Sequence, residues 1–171
     1  LKVPAAELRL EQSLANGQCF GWRRRADSDV WVGMLGSRLV ELRETESDTQ
    51  FRCIGRAAAR AADEGALIRA ELRDYFQLDV PLAPLYRQWQ RSDERMGAVA
   101  RALPGVRILR QEPAECLFSF ICSSNNNIGR IGGMLAALRR AYGRRVHVDA
   151  DVGSSTGGAP AADVAEGTAD G

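Results

Sequence analysis

The chain has 171 residues, with 23 basic and 22 acidic side chains and a formal net charge of +1. That length allows one domain or two small ones. No stretch approaches the roughly 20 consecutive apolar residues of a membrane-spanning helix, so no membrane partner is expected. The four cysteines (Cys19, Cys53, Cys116, Cys122) form no Cys-x-x-Cys pair, and the one histidine is His147. This spacing argues against zinc, and neither a metal nor a cofactor is expected.

In chain order, the first 55 residues read as a small antiparallel sheet. Asn16-Gly17 is a turn signal, and Phe20 and Trp22 alternate with Gly21 and Arg23 as in a half-buried strand. Two apolar runs, 30–35 and 39–42, flank Gly36-Ser37-Arg38 as a hairpin, and Phe51 and Cys53 suggest one more strand. From Ala57 the composition turns alanine-rich, and Leu67, Ile68, Leu72 and Phe76 predict a helix within 57–76. Asp79 and Pro81 introduce a second helix with Leu82, Leu85, Tyr86 and Trp89 on one stripe, expected to be core. Ser92-Asp93 can cap a third, which Pro104-Gly105 stops. Val106, Ile108 and Leu109 suit a short strand or an extended link.

Then comes the stretch with the most chemical character. Pro113 opens a helix that is apolar on nearly every side from Cys116 to Cys122, and such a helix is expected to be buried. Ser123 and Ser124 lead to three asparagines, Asn125, Asn126 and Asn127. A second helix follows with Ile128, Ile131, Met134, Leu135 and Leu138, and it carries Arg130. Asparagine offers a donor and an acceptor on a short stalk and tolerates turn conformations. On spacing alone, capping and turning a helix–loop–helix is favoured over ligand contact as the role of the triplet. Residues 149–171 carry five acids, no base and no aromatic. This tail is expected to be disordered, because it cannot bury enough apolar area to offset its ordering entropy.

Charge is unevenly spread. Residues 1–100 balance, whereas residues 101–148 carry eight arginines against Glu112 and Glu115. A basic block around helices points to an anionic partner, nucleic acid first. The only lysine is Lys2, at the start of the chain, so lysine-based covalent chemistry has almost nothing to draw on. The chain starts at Leu1 with no visible signal peptide and is expected to be a fragment or a processed product. Three of the four cysteines sit in apolar company, which suits buried, reduced thiols inside a cell.

Four blocks carry a resemblance. They are Ser-Leu-Ala-Asn-Gly-Gln-Cys-Phe-Gly-Trp at 13–22, Asp-Tyr-Phe-Gln-Leu-Asp at 74–79, Gly-Val-Arg-Ile-Leu-Arg-Gln at 105–111, and Cys-Leu-Phe-Ser-Phe-Ile-Cys-Ser-Ser-Asn-Asn-Asn-Ile-Gly-Arg at 116–130. In this order they resemble the eukaryotic-type 8-oxoguanine DNA glycosylases over about residues 7–146. The resemblance implies an α+β fold: a small TATA-binding-protein-like antiparallel sheet with helices over 1–104, then the first helices of an all-α glycosylase core over 105–148. Residues 149–171 resemble nothing in the family.

The resemblance also implies a reaction, excision of oxidised guanine opposite cytosine followed by strand cleavage through a lysine Schiff base. The implied partner is double-stranded DNA holding that lesion. A monomer working in the nucleus, and also the mitochondrion, is expected. Such an enzyme must extrude the base from the duplex. Asn125 and Arg130 match residues that fill the gap and hold the widowed cytosine, whose pairing edge needs both donors and an acceptor. Asn126 and Asn127 belong to the same candidate surface. Gly17 matches a glycine whose backbone carbonyl accepts the N7 proton of 8-oxoguanine, a proton that guanine lacks. Phe120 matches a phenylalanine behind the base pocket, with a packing role equally open. The family's catalytic lysine and aspartate lie beyond the matched stretch, so no catalytic residue is assigned. His147 is given no role. The implied whole enzyme is a bifunctional glycosylase and lyase, with this chain expected to be inactive alone. The alternative is a stable, non-catalytic DNA-binding module.

Overall fold

The computed structural model describes residues 1–26, 28–57, 62–148 and 165–166. Its elements are α1 (Leu10–Leu14), β1 (Trp22–Arg24), β2 (Val30–Leu35), β3 (Arg38–Glu44), β4 (Thr49–Arg56), α2 (Glu64–Tyr75), α3 (Leu82–Ser92), α4 (Glu94–Ala102), α5 (Pro113–Ser123), α6 (Ile128–Tyr142), β5 (Arg144–Arg145), β6 (His147–Val148) and β7 (Ala165–Glu166). The fold is α+β. One antiparallel sheet has the order β1-β2-β3-β4-β6, and β5 pairs with β7 apart from it.

The sheet forms where the alternation places it. Strand β2 buries every second residue, and Gly36 at φ +55° lets the chain reverse into β3. Trp22 lies opposite Gly33, and a Cβ on Gly33 would come within 2.3 Å of the indole. The missing side chain thus makes room for the ring. Helix α2 closes the core with Ile68 and Leu72, and Phe76 follows just past its end. These pack with Leu8, Leu10, Leu14, Trp22, Trp31, Leu35, Val40 and Leu42. Each such fully buried side chain contributes about 2 kcal/mol. Trp22 Nε1 donates to the Tyr75 hydroxyl at 3.0 Å, so the indole is buried without an orphaned donor.

Helix ends follow their caps. Asp63 accepts from Ala66 N, so α2 begins at Glu64 rather than in the alanine-rich run before it, of which residues 58–61 lie outside the described residues. Asp93 caps α4 and Glu112 caps α5 through Glu115 N at 2.8 Å. Two helices take their caps from afar. Glu44 accepts from Leu10 N at 2.9 Å, and Glu7 accepts from Leu82 N at 2.8 Å and Ala83 N at 3.2 Å. The second of these is tied to a buried guanidinium: Arg107 Nη2 donates to Glu7 Oε2 at 2.7 Å, while its other nitrogens donate to the carbonyls of Glu7, Gln77 and Val80. Burial lowers the Arg107 pKa against the pull of Glu7.

Several expectations are corrected here. The first 55 residues hold a helix, α1, and β6 extends the sheet from far down the chain. Of the short strand and the extended link left open for residues 106–109, the structure has the extended link, because their hydrogen bonds go to side chains. On α3 only Leu82 is buried, and Tyr86 and Trp89 are half-buried, stacked edge to face at 5.7 Å. Most consequentially, α5 is not buried. Only Ser119 and Cys122 of the helix are buried, while Leu117, Phe118, Phe120 and Ile121 are exposed. Among the described residues one side of α5 meets α6 and nothing covers the rest. The tail expected to be disordered lies outside the described residues, apart from Ala165–Glu166.

Candidate nucleic-acid interface

Two segments far apart in sequence meet at one corner. Gly17 sits in the left-handed region at φ +85°, and a Cβ placed on it would lie 2.9 Å from Ile128 Cδ1 and 3.2 Å from Ile128 Cγ1. The 16–18 turn therefore touches the start of α6, beside the asparagine triplet. No hydrogen bond reaches the Gly17 carbonyl among the described residues. It remains able to accept one from a ligand.

The turn lies between two supports. On one side, residues 105–111 hold Gln18: its Nε2 donates to the carbonyls of Ser13 and Arg107, both at 2.8 Å, and its Oε1 accepts from Leu109 N at 3.1 Å. On the other, α5 and α6 clasp Phe20. Arg139 donates to the Phe20 carbonyl at 3.1 Å and to Glu115 at 2.7 Å. The Phe20 ring packs on a small cluster of Cys122, Ile131 and Leu135.

The triplet divides its labour. Asn127 caps α6, its Oδ1 accepting from Arg130 N at 3.1 Å. Asn126 donates to the Cys122 carbonyl at 2.9 Å, and its Oδ1 accepts from Asn127 N at 3.0 Å. Both are committed to holding the corner. Asn125 takes the left-handed conformation at φ +47°, which asparagine tolerates better than most residues. Its side chain and that of Arg130 are exposed and have no protein partner among the described residues. An amide and a guanidinium thus stand free at the end of a helix, beside the glycine turn. Together they offer the donors and the acceptor that a pyrimidine pairing edge requires.

Phe120 stands apart. It is 75% exposed and lines a shallow hollow with Leu109, Gln111, Pro113, Cys116 and Leu117. Among the described residues neither a closed pocket nor a packed core forms around it.

Cys19, two residues from Gly17, is not poised as a nucleophile. Burial pushes the Cys19 thiol up to about 12, so it is protonated at neutral pH. Tyr75 beside it is likewise raised by burial. Cys116, expected among the buried thiols, is exposed. Lys2 is exposed, with its backbone N–H donating to Asp48. Among the described residues no group of three or more His, Cys, Asp and Glu could hold a metal ion, and no helix is long and apolar enough to cross a membrane. Sequence reasoning missed Gln18 as a support for the turn, because its partners lie up to 93 residues away.

Comparison with known proteins gives these shapes a context. The family model of the 8-oxoguanine DNA glycosylase N-terminal domain matches residues 1–117. The N-glycosylase/DNA lyase OGG1 of Arabidopsis thaliana is 37% identical over 136 residues, covering 79% of this chain and 36% of that protein. The N-glycosylase/DNA lyase of Saccharomyces cerevisiae is 36% identical over 154 residues, covering 85% and 39% respectively. The chain therefore spans well under half the length of these curated relatives. The crystal structure of Clostridium acetobutylicum 8-oxoguanine glycosylase/lyase, in complex with double-stranded DNA containing cytosine opposite 8-oxoguanine, superposes with a TM-score of 0.71. It covers 84% of this chain and 46% of that one, and at 24% identity the likeness is one of fold.

Proposed function

The chain belongs to the 8-oxoguanine DNA glycosylase family, by its N-terminal domain, and from that premise we propose that it carries the part of such an enzyme that reads the damaged base and grips the opposite cytosine. The observation that supports this most is the contact of Gly17 with Ile128, which sets the glycine turn beside Asn125 and Arg130. An extruded 8-oxoguanine donates its N7 proton to the free carbonyl of Gly17. Guanine has a lone pair there, so the same carbonyl repels it, and a site built on that hydrogen bond discriminates strongly. Asn125 and Arg130 enter the gap and satisfy cytosine's carbonyl, ring nitrogen and amine. Asn126 and Asn127 hold the loop in shape from beneath.

The partner is double-stranded DNA with oxidised guanine opposite cytosine, and the reaction of the whole protein is base excision followed by strand cleavage. This chain supplies recognition and not chemistry, since its one lysine is Lys2. Incubation with an 8-oxoguanine:cytosine duplex and borohydride is the test. Salt-sensitive binding without a covalent adduct is the expected outcome. An adduct or released base overturns the division of labour, and failure to bind any duplex overturns the recognition reading.

The closed core around α2 favours a second reading, in which the chain acts as a stable, non-catalytic DNA-binding module. Cooperative melting together with duplex binding supports it. Aggregation through the bare face of α5 favours the first.

A further inference from the structure

We infer that Asn16 and Gln18 are positioning residues that aim the Gly17 carbonyl. The inference rests on the reading of that carbonyl given above. The Gly17 carbonyl and the Gln18 N–H belong to one peptide unit. That unit is planar and trans, so the two groups point in opposite directions. Whatever holds the N–H fixes the carbonyl. Asn16 holds it: its Oδ1 accepts from Gln18 N at 3.1 Å, and its Nδ2 is itself anchored on the Gln12 carbonyl at 2.8 Å, at the end of α1.

Gln18 then prevents the unit from rotating as a whole. Its side-chain amide bonds to Ser13, Arg107 and Leu109, and its own carbonyl accepts from Gln111 Nε2 at 2.5 Å. The bonds run both to α1 and to the 105–111 link, so the turn is stapled between them. Glycine at φ +85° has no side chain to restrain its own rotation, and this restraint comes from its two neighbours. A carbonyl that must tell a proton from a lone pair discriminates only while its direction is fixed, since hydrogen-bond strength falls steeply with misalignment.

The test measures affinity of the full chain for two duplexes that differ only in 8-oxoguanine or guanine opposite cytosine, together with the melting temperature. Gln18→Met removes the staple at similar length, and Asn16→Leu removes the acceptor for the Gln18 N–H. Asn16→Asp keeps that acceptor. The first two are expected to lower the lesion preference about tenfold, the worth of one well-aligned hydrogen bond, with affinity for the guanine duplex unchanged. Asn16→Asp is expected to weaken both complexes alike through its charge and to retain more of the preference than Asn16→Leu, because the acceptor stays while the bond to the Gln12 carbonyl is lost. Asn16 is exposed, so Asn16→Leu keeps the test open even where Gln18→Met melts early. Equal loss of both affinities in Asn16→Leu and Gln18→Met, or an unchanged preference, overturns the positioning roles alone. An unaltered chain with no lesion preference overturns the reading of Gly17 and this inference with it.

Discussion

The region around α2 and the α5–α6 hairpin are made of similar side chains and end in opposite states. Phe76 is 0% exposed, while Phe120 is 75% exposed. Around α2 the apolar groups repeat on one face and meet the sheet, so cover comes from within the chain. On α5 they run round the whole helix, and α6 can cover only one side. The contrast teaches that hydrophobicity states how much cover a helix needs, not where the cover comes from. The bare face of α5 fits a chain that matches only about two fifths of its curated relatives.

Phe76→Ala carves a cavity in the closed region and is expected to cost about 3–5 kcal/mol, read from chemical denaturation. A cost near zero breaks the contrast at its stronger end. Next in size is the titration of Cys19. Its folded value of about 12 lies above its ordinary value of 9.0, so the folded state favours the neutral thiol. The stability that this thiol contributes is fully present below pH 9 and is lost as pH rises toward 12. About 1 kcal/mol should disappear by pH 10, and Cys19→Ala should flatten that slope. Alkylation at pH 8 should label exposed Cys116 and spare buried Cys19, as followed by mass spectrometry. The smallest effect is expected from Phe120→Ser, within about 0.5 kcal/mol of the unaltered chain, because the 75% exposed ring gains little cover on folding. A loss above 2 kcal/mol would place Phe120 in a core after all.

What was legible in the sequence was local. Asp93 before α4, Pro113 at the start of α5 and Gly36 in the hairpin each act on their own neighbours, so their elements could be placed. What was not legible depended on partners far along the chain. Helix α1 is five residues long and takes its cap from Glu44; α3 takes its cap from Glu7, which Arg107 holds in turn. The candidate site divides in the same way. Resemblance pointed to Gly17, Asn125 and Arg130 as residues. The contact of Gly17 with Ile128, and the free state of Asn125 and Arg130 beside the committed Asn126 and Asn127, required the fold.

The central claim is that the asparagine corner reads the base opposite the lesion. Its most direct test is the relative affinity of the full chain for 8-oxoguanine paired with cytosine and with adenine, before and after the double change Asn125→Ala and Arg130→Ala. The unaltered chain is expected to prefer cytosine, and that preference to fall about tenfold or more in the double variant, the worth of one good base contact. The same preference in both proteins would contradict the claim.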